Sequence, residues 1–144
     1  MTRFLLDTNV TGDITEHVPS EAVVAWMARQ EDEDPFIAPL TVAEIRRGIL
    51  ELSAGKRRSG QGRWFAGPEG PRTLFAGRVL PFDEPAALAW ARLMAEAKAE
   101  GRPRSALGAI VAAVAEANSC VVVTGDEKDF AGVALVNPFR GEAR

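Results

Sequence analysis

Short apolar runs of about four or five residues alternate along the chain with longer stretches in which apolar side chains recur every three or four positions, strand and helix signals in turn. Phe4-Leu5-Leu6 opens a short buried strand, Arg3–Asp7, that stops on a carboxylate. Ser20 caps a helix over Glu21–Gln30, with Val23, Trp26 and Met27 as its apolar stripe. After the solvated acidic turn Glu31–Asp34, Pro35–Pro39 reads as a second strand. Thr41 opens a helix striped by Val42, Ile45, Ile49 and Leu52. Lys56–Pro71, rich in glycine and basic residues, is either a mobile arm or a broken helical hairpin.

Arg78–Phe82 reads as a third strand. Asp83 caps a helix whose stripe is Trp90, Leu93, Met94 and Ala97, and Gly101 ends it. Ser105 caps another, with Leu107, Ile110, Val111 and Val114 facing inward. Cys120–Thr124 is a fourth, fully buried strand and Val133–Asn137 a candidate fifth. Strands alternating with helices predict a parallel α/β sheet, in one domain spanning residues 1–144 without internal repeats. Ligand sites in such sheets lie beyond the carboxyl ends of the strands. Asp7 and Asp126 both follow strand ends, which puts two carboxylates on one edge.

Composition narrows the chemistry. A net charge of −3 and a pI near 5.3 argue against non-specific coating of nucleic acid, though not against a local basic patch. A single cysteine, Cys120, gives no disulfide framework and suits a reducing cytoplasm. Ala106–Ala115, the longest mostly apolar stretch, is too short to cross a bilayer, so no membrane role is expected. With His17 as the one histidine, a His-centred triad or a multi-His zinc site is set aside, and any catalysis falls to carboxylates.

Magnesium and manganese prefer oxygen ligands, and such an ion makes phosphodiester hydrolysis accessible without histidine. Asp7, Glu44 and Asp126 are the candidate ligands, with Asp129 behind them. Each has a plainer reading. Asp7 can start an Asx turn through Thr8 and Asn9. Glu44 completes a capping box with Thr41 in "TVAE". Asp126 can cap the turn Glu127–Phe130, and Asp129 can be a surface charge. Likewise Arg46, Arg47, Lys56, Arg57, Arg58 and Arg63 either line a groove for a phosphate backbone or form a solvated face.

"FLLDTNV", "LTVAEIRRGI", "FAGRVLPFDEPAALAWARL", "AIVAAVA" and "VNPF", in this order, resemble the PIN-domain ribonucleases, and within them VapC/FitB-type toxins of bacterial toxin–antitoxin pairs. The resemblance runs from about residue 3 to residue 139. It implies an α/β fold, a PIN-like three-layer α/β/α sandwich with a central parallel sheet of four to five strands. It also implies a Mg2+- or Mn2+-dependent endoribonuclease held in check by a cognate antitoxin. Partners implied with it are RNA, a second copy in a homodimer, and operator DNA reached only through the antitoxin. The family's first two acids match Asp7 and Glu44, its supporting Asn or Ser matches Asn9, and its last acid matches Asp126, with Asp129 in the frequent "DF" pair. The apolar faces around Ala22–Met27 and Ile45–Leu52 offer a surface for a partner helix or a second copy.

Two positions depart from the pattern. The stretch usually written "DALIAA" is "GAIVAA", which puts Gly108 where an acid is usual, and the Arg before the last acid is replaced by Gly125. Without an acid at 108 the site has one fewer charge and one fewer ligand. Two functions follow: an RNA-cleaving toxin weakened at this position, or a PIN-like binding module that engages antitoxin in a DNA-bound repressor complex. A phosphatase or DNA nuclease using the same acids is a third reading, resting only on shared metal chemistry.

Overall fold

Four short strands, β1 (Arg3–Leu6), β2 (Pro35–Phe36), β3 (Cys120–Val123) and β4 (Leu135–Val136), pair in the order β2-β1-β3-β4 with every neighbour parallel. The structure is a computed structural model that describes residues 2–15 and 18–140, so His17 lies outside the described residues. Helices connecting the strands are α1 (Thr8–Ile14), α2 (Glu21–Ala28), α3 (Pro39–Leu50), α4 (Lys56–Ala66), α5 (Pro71–Leu74), α6 (Glu84–Ala99) and α7 (Ala106–Ala117).

The central strands β1 and β3 run in register from Arg3 opposite Cys120 to Leu6 opposite Val123. Successive side chains on a strand point to opposite faces, and here each face has its own core. Leu5 and Val122 pack with Ala86, Leu93 and Val111 under α6 and α7. Leu6 and Val123 pack with Val10, Val23 and Trp26 under α1 and α2. The result is the three-layer α/β/α sandwich with a four-stranded parallel sheet. Among the described residues no helix is long and apolar enough to cross a membrane.

Several local readings change. Asp7 ends β1 and is the N-cap of α1, its side chain accepting from the Thr8 N–H. That helix escapes the pattern because "TNVTGDI" holds β-branched residues and a glycine, poor helix formers that tertiary packing of Val10 and Thr11 overrides. Thr41 does not open α3: the helix begins at Pro39 behind Ala38, with proline at the first position, where its missing N–H costs nothing. The capping box is therefore absent, and Glu44 lies well inside the helix. Ser20 precedes α2 as expected, yet its hydroxyl donates to Asp13 Oδ1 (2.8 Å) and caps nothing. Leu107 does not face inward; it is 46% exposed.

Arg78–Phe82 is not a strand. It makes one parallel bridge, Ile37 to Val79, through the Ile37 N–H to Arg78 carbonyl and Leu80 N–H to Ile37 carbonyl bonds. Pro81 has no N–H with which to extend the ladder. Lys56–Pro71 resolves into the helical hairpin, α4 followed by the single turn of α5. Asp83 does cap α6, accepting from the Ala86 N–H (3.2 Å), and Gly101 does end it at φ 72°. There the Gly101 N–H bonds to Lys98 and the Arg102 N–H to Ala97, the paired bonds of a left-handed helix stop. That stop turns the chain so that Ser105 starts α7 beside the carboxyl ends of β1 and β3.

Candidate active site

Parallel pairing of β1 and β3 delivers Asp7 and Asp126 to the same sheet edge. The Asp7 N–H still bonds to the Val123 carbonyl (2.9 Å), so the backbone ladder reaches the carboxylate itself. Asp7 Oδ1 accepts from the Thr8 N–H (2.9 Å), and Oδ2 accepts from Thr124 Oγ (2.9 Å) and more distantly from Asn9 Nδ2 (3.3 Å). Asn9 also accepts from the Gly125 N–H (3.1 Å), and Thr124 Oγ from the Asp126 N–H (2.9 Å). These bonds join the ends of β1 and β3 into one polar network around Asp7.

Glu44 reaches this edge from α3. Its Oε1 accepts from Thr8 Oγ (2.6 Å), which stands near the buried Thr41 hydroxyl (3.3 Å). The Glu44 side chain is thus turned toward the sheet edge and not back toward its own helix start. On the opposite side Asp126 caps a 3-10 turn, Glu127–Phe130, accepting from the Asp129 N–H (3.4 Å). Asp129, on that turn, faces the same space.

Asp7, Glu44, Asp126 and Asp129 line a single cleft of about 320 Å³, together with Thr8, Asn9, Ser105, Leu107 and Gly108. Gly108 therefore falls where an acid would count. It sits in the first turn of α7 with its N–H directed to Ser105 Oγ (3.4 Å), and a Cβ built on it would meet Asp129 Cβ at 3.8 Å and Asp129 Oδ2 at 3.9 Å, ordinary contact distances. A side chain fits at this position. None is present.

Crowded carboxylates resist ionisation. Burial pushes the Asp7 carboxyl up from its ordinary value, opposed by the bonds from Thr124 and Thr8 and reinforced by Glu44 and Asp126. Asp129 is also raised, first by its hydrogen bond with Asp126, then by desolvation and the charge of Asp126. A cation would relieve this crowding, and the donors, four carboxylates without sulfur or imidazole, suit a hard divalent ion. Among the described residues, however, no three Asp, Glu, His or Cys side chains are gathered closely enough to form a ready-made cage. The donor chemistry fits such an ion.

The basic residues stand elsewhere. Arg46, Arg47, Lys56, Arg57 and Arg58 lie on α3 and α4, and none of them lines the cleft. Arg47 pairs with Glu51 (3.0 Å), and the Arg46 guanidinium lies over the Phe65 ring. Thr8 and Thr124 are the residues that sequence reasoning left out of the site, although "DTN" and "VVVT" place both beside its acids. Gly125 has a steric reason: a Cβ there would stand 2.8 Å from Phe139 Cδ2 and 2.9 Å from Cε2, so the ring occupies the space of a side chain.

The PIN domain family model matches residues 4–135. The chain belongs to the PIN-domain family. Toxin FitB of Neisseria gonorrhoeae (strain ATCC 700825 / FA 1090) is 39% identical over 137 residues, 94% of this PIN domain chain and 97% of the relative. VapC ribonuclease Y4jK of Sinorhizobium fredii (strain NBRC 101917 / NGR234) is 39% identical over 137 residues, 94% and 96% of the two chains. The solved structure of FitAB bound to an IR36 DNA fragment superposes with a TM-score of 0.87 at 38% identity, covering 97% of this chain and 98% of that one. PIN-domain ribonucleases generally use divalent metal ions.

Proposed function

We propose that this PIN domain is the toxin of a toxin–antitoxin pair and hydrolyses RNA phosphodiesters with a Mg2+ or Mn2+ ion. The reading is supported above all by Asp7, Glu44, Asp126 and Asp129 lining one cleft at the carboxyl ends of β1 and β3. It draws further support from two relatives named as a toxin and as a ribonuclease. Asp7, Glu44 and Asp126 would hold the ion, with Asp129 as a weaker ligand; a bound ion would supply Lewis acidity at the phosphate and lower the pKa of a water there. Thr124 and Asn9 fix Asp7, and Thr8 fixes Glu44, so both carboxylates are oriented before substrate arrives.

The acidic cleft also suits an inserted Arg or Lys of an antitoxin, whose charge would satisfy the carboxylates. Repression through operator DNA runs through that antitoxin, as the DNA-bound FitAB structure suggests by likeness. The working form is a cytoplasmic homodimer of this single domain, with the exposed Val24 and Leu50 on α2 and α3 as the apolar surface available for association. Gly108 favours a second reading, a binding module of impaired catalysis that retains antitoxin capture.

The deciding measurement is cleavage of single-stranded RNA by antitoxin-free protein with added Mn2+, with EDTA and Asp7→Asn as controls. Cleavage lost in both controls supports the nuclease. Absence of cleavage, with antitoxin binding intact, selects the binding module.

A further inference from the structure

The carboxylate cleft has a larger neighbour. A second cleft, of about 630 Å³, runs along α6 and α7 and is closed on its other side by residues 128–134. Asp129 lines both clefts, so the second is a continuation of the first across one side chain.

Its charges are sorted along its length. Cys120 begins β3 and Asp126 follows its end, so the part of the cleft near Glu116 and Cys120 lies at the back edge of the sheet. There Arg92 is spent on Glu96 (2.7 Å) and Glu116. The end beside the carboxylates carries Arg102, Arg104 and Lys128 against Glu100 and Asp129. Arg102 and Lys128 pair with no carboxylate among the described residues. Arg104 donates to the carbonyls of Asp129 (3.2 Å) and Ala131, bonds that fix the guanidinium without cancelling its charge. Three cations that form no ion pair among the described residues, one of them fixed by backbone carbonyls, thus share this end with Glu100 and with Asp129, the acid common to both clefts.

We infer that this cationic end is a phosphate-binding subsite that takes the backbone of single-stranded RNA as it leaves the carboxylate cleft over Asp129. Its counterpart at the acids would be the scissile phosphate, and Arg102, Arg104 and Lys128 take the charges of neighbouring phosphates. The inference rests on the proposed ribonuclease activity. It sets the RNA track here in place of α3 and α4, whose basic residues line neither cleft.

The test measures binding of a short fluorescent single-stranded RNA to protein carrying Asp7→Asn, so that nothing is cleaved, across a range of salt concentrations. Each lost phosphate contact flattens the dependence of log affinity on log salt by about 0.7 for a single strand. Adding Arg102→Gln and Lys128→Gln together is expected to flatten it by about 1.4 and to weaken binding several-fold at low salt, with the melting temperature unchanged. An unchanged slope in that variant overturns the subsite, and a flattened slope in Arg57→Gln/Arg58→Gln in its place moves the track to α4. If the Asp7→Asn parent binds no RNA and the unmodified protein cleaves none, the ribonuclease reading itself fails, which separates the two failures.

Discussion

On one wall of the carboxylate cleft, Asp7 and Glu44 are held by Thr8, Asn9 and Thr124, at the ends of the two central strands and on a long helix. On the other wall, Asp126 and Asp129 share a single 3-10 turn, restrained by one another, and Gly108 presents no side chain at all. The first wall is ordered by neutral hydrogen-bond donors; the second has two acids, a glycine, and hydrogen bonding between groups that ought to repel. Preorganisation on one side and deficiency on the other is how a fold can keep its site architecture while catalysis weakens.

The largest effect should come from breaking the ordered wall. Asp7→Asn removes the best-held of the proposed ligands and is expected to lower cleavage by more than the about 10–100-fold typical of losing a partner outside the ligand set. Stability should not fall with it. The folded state raises the Asp7 carboxyl, so it prefers the neutral form. That preference contributes fully below the ordinary carboxylate value and is lost as pH rises through the raised one. At neutral pH the charged Asp7 is a cost that Asn lacks. Melting curves from pH 4 to pH 8 should show the variant gaining on the parent as pH rises. Asparagine caps a helix as well as aspartate does, so a variant that loses its fold at every pH would mean that the carboxylate is chiefly structural, through the bonds it accepts from Thr124 and Asn9.

Next in size is repair of the deficient wall. Gly108→Asp adds a carboxylate at ordinary contact distance from Asp129. It should raise Mn2+ affinity about 10-fold, since charge and ligand count set such affinities, and raise cleavage with it. Without metal the new charge opposes Asp129 and offsets the roughly 1 kcal/mol gained by removing a helical glycine. Calorimetric titration with MnCl2 reads this directly. Equal affinity in the two proteins would show that position 108 contributes nothing to the site.

A smaller effect tests whether order on the first wall is what matters. Thr8→Val deletes the hydroxyl that donates to Glu44 and leaves every carboxylate in place. Cleavage should drop about 10-fold through a misplaced ligand, with a stability change of about 1 kcal/mol. An unaltered rate in the presence of a lowered melting temperature would make that bond purely structural.

The site's two walls also differ in how readable they are. Asp7 and Asp126 are legible because apolar strands end on them, and parallel pairing then fixes their common edge. The bonds that orient them are not: Thr8 meets Glu44 across 36 positions and Thr124 meets Asp7 across 117, distances over which local pattern carries no information. α1 was hidden for the opposite reason, since its weak local propensity is overruled by burial of Val10 and Thr11. Glu44 misled through a local motif, "TVAE", whose cap is pre-empted by Pro39 two residues earlier. Arg78–Phe82 likewise has the composition of a strand but lies beyond a sheet edge that accepts only one bridge.

The finest test concerns the joint between the walls, where Gly125 follows Thr124 and precedes Asp126. Its N–H holds Asn9, and the Phe139 ring fills the space where its side chain would be. Gly125→Ala must push that ring away, because the Cβ would approach two ring carbons to within 3 Å. The ring is 37% exposed and has room to swing outward, so the cost should stay near 1 kcal/mol, the low end for overpacking. If contact with the ring is the whole cost, Phe139→Ala removes it, and Gly125→Ala made on that background should be neutral. Thermal denaturation of the four proteins gives the coupling directly. Coupling near zero would place the strain in the backbone between Thr124 and Asp126, and the cost of the alanine would then appear in cleavage as a displaced Asp126.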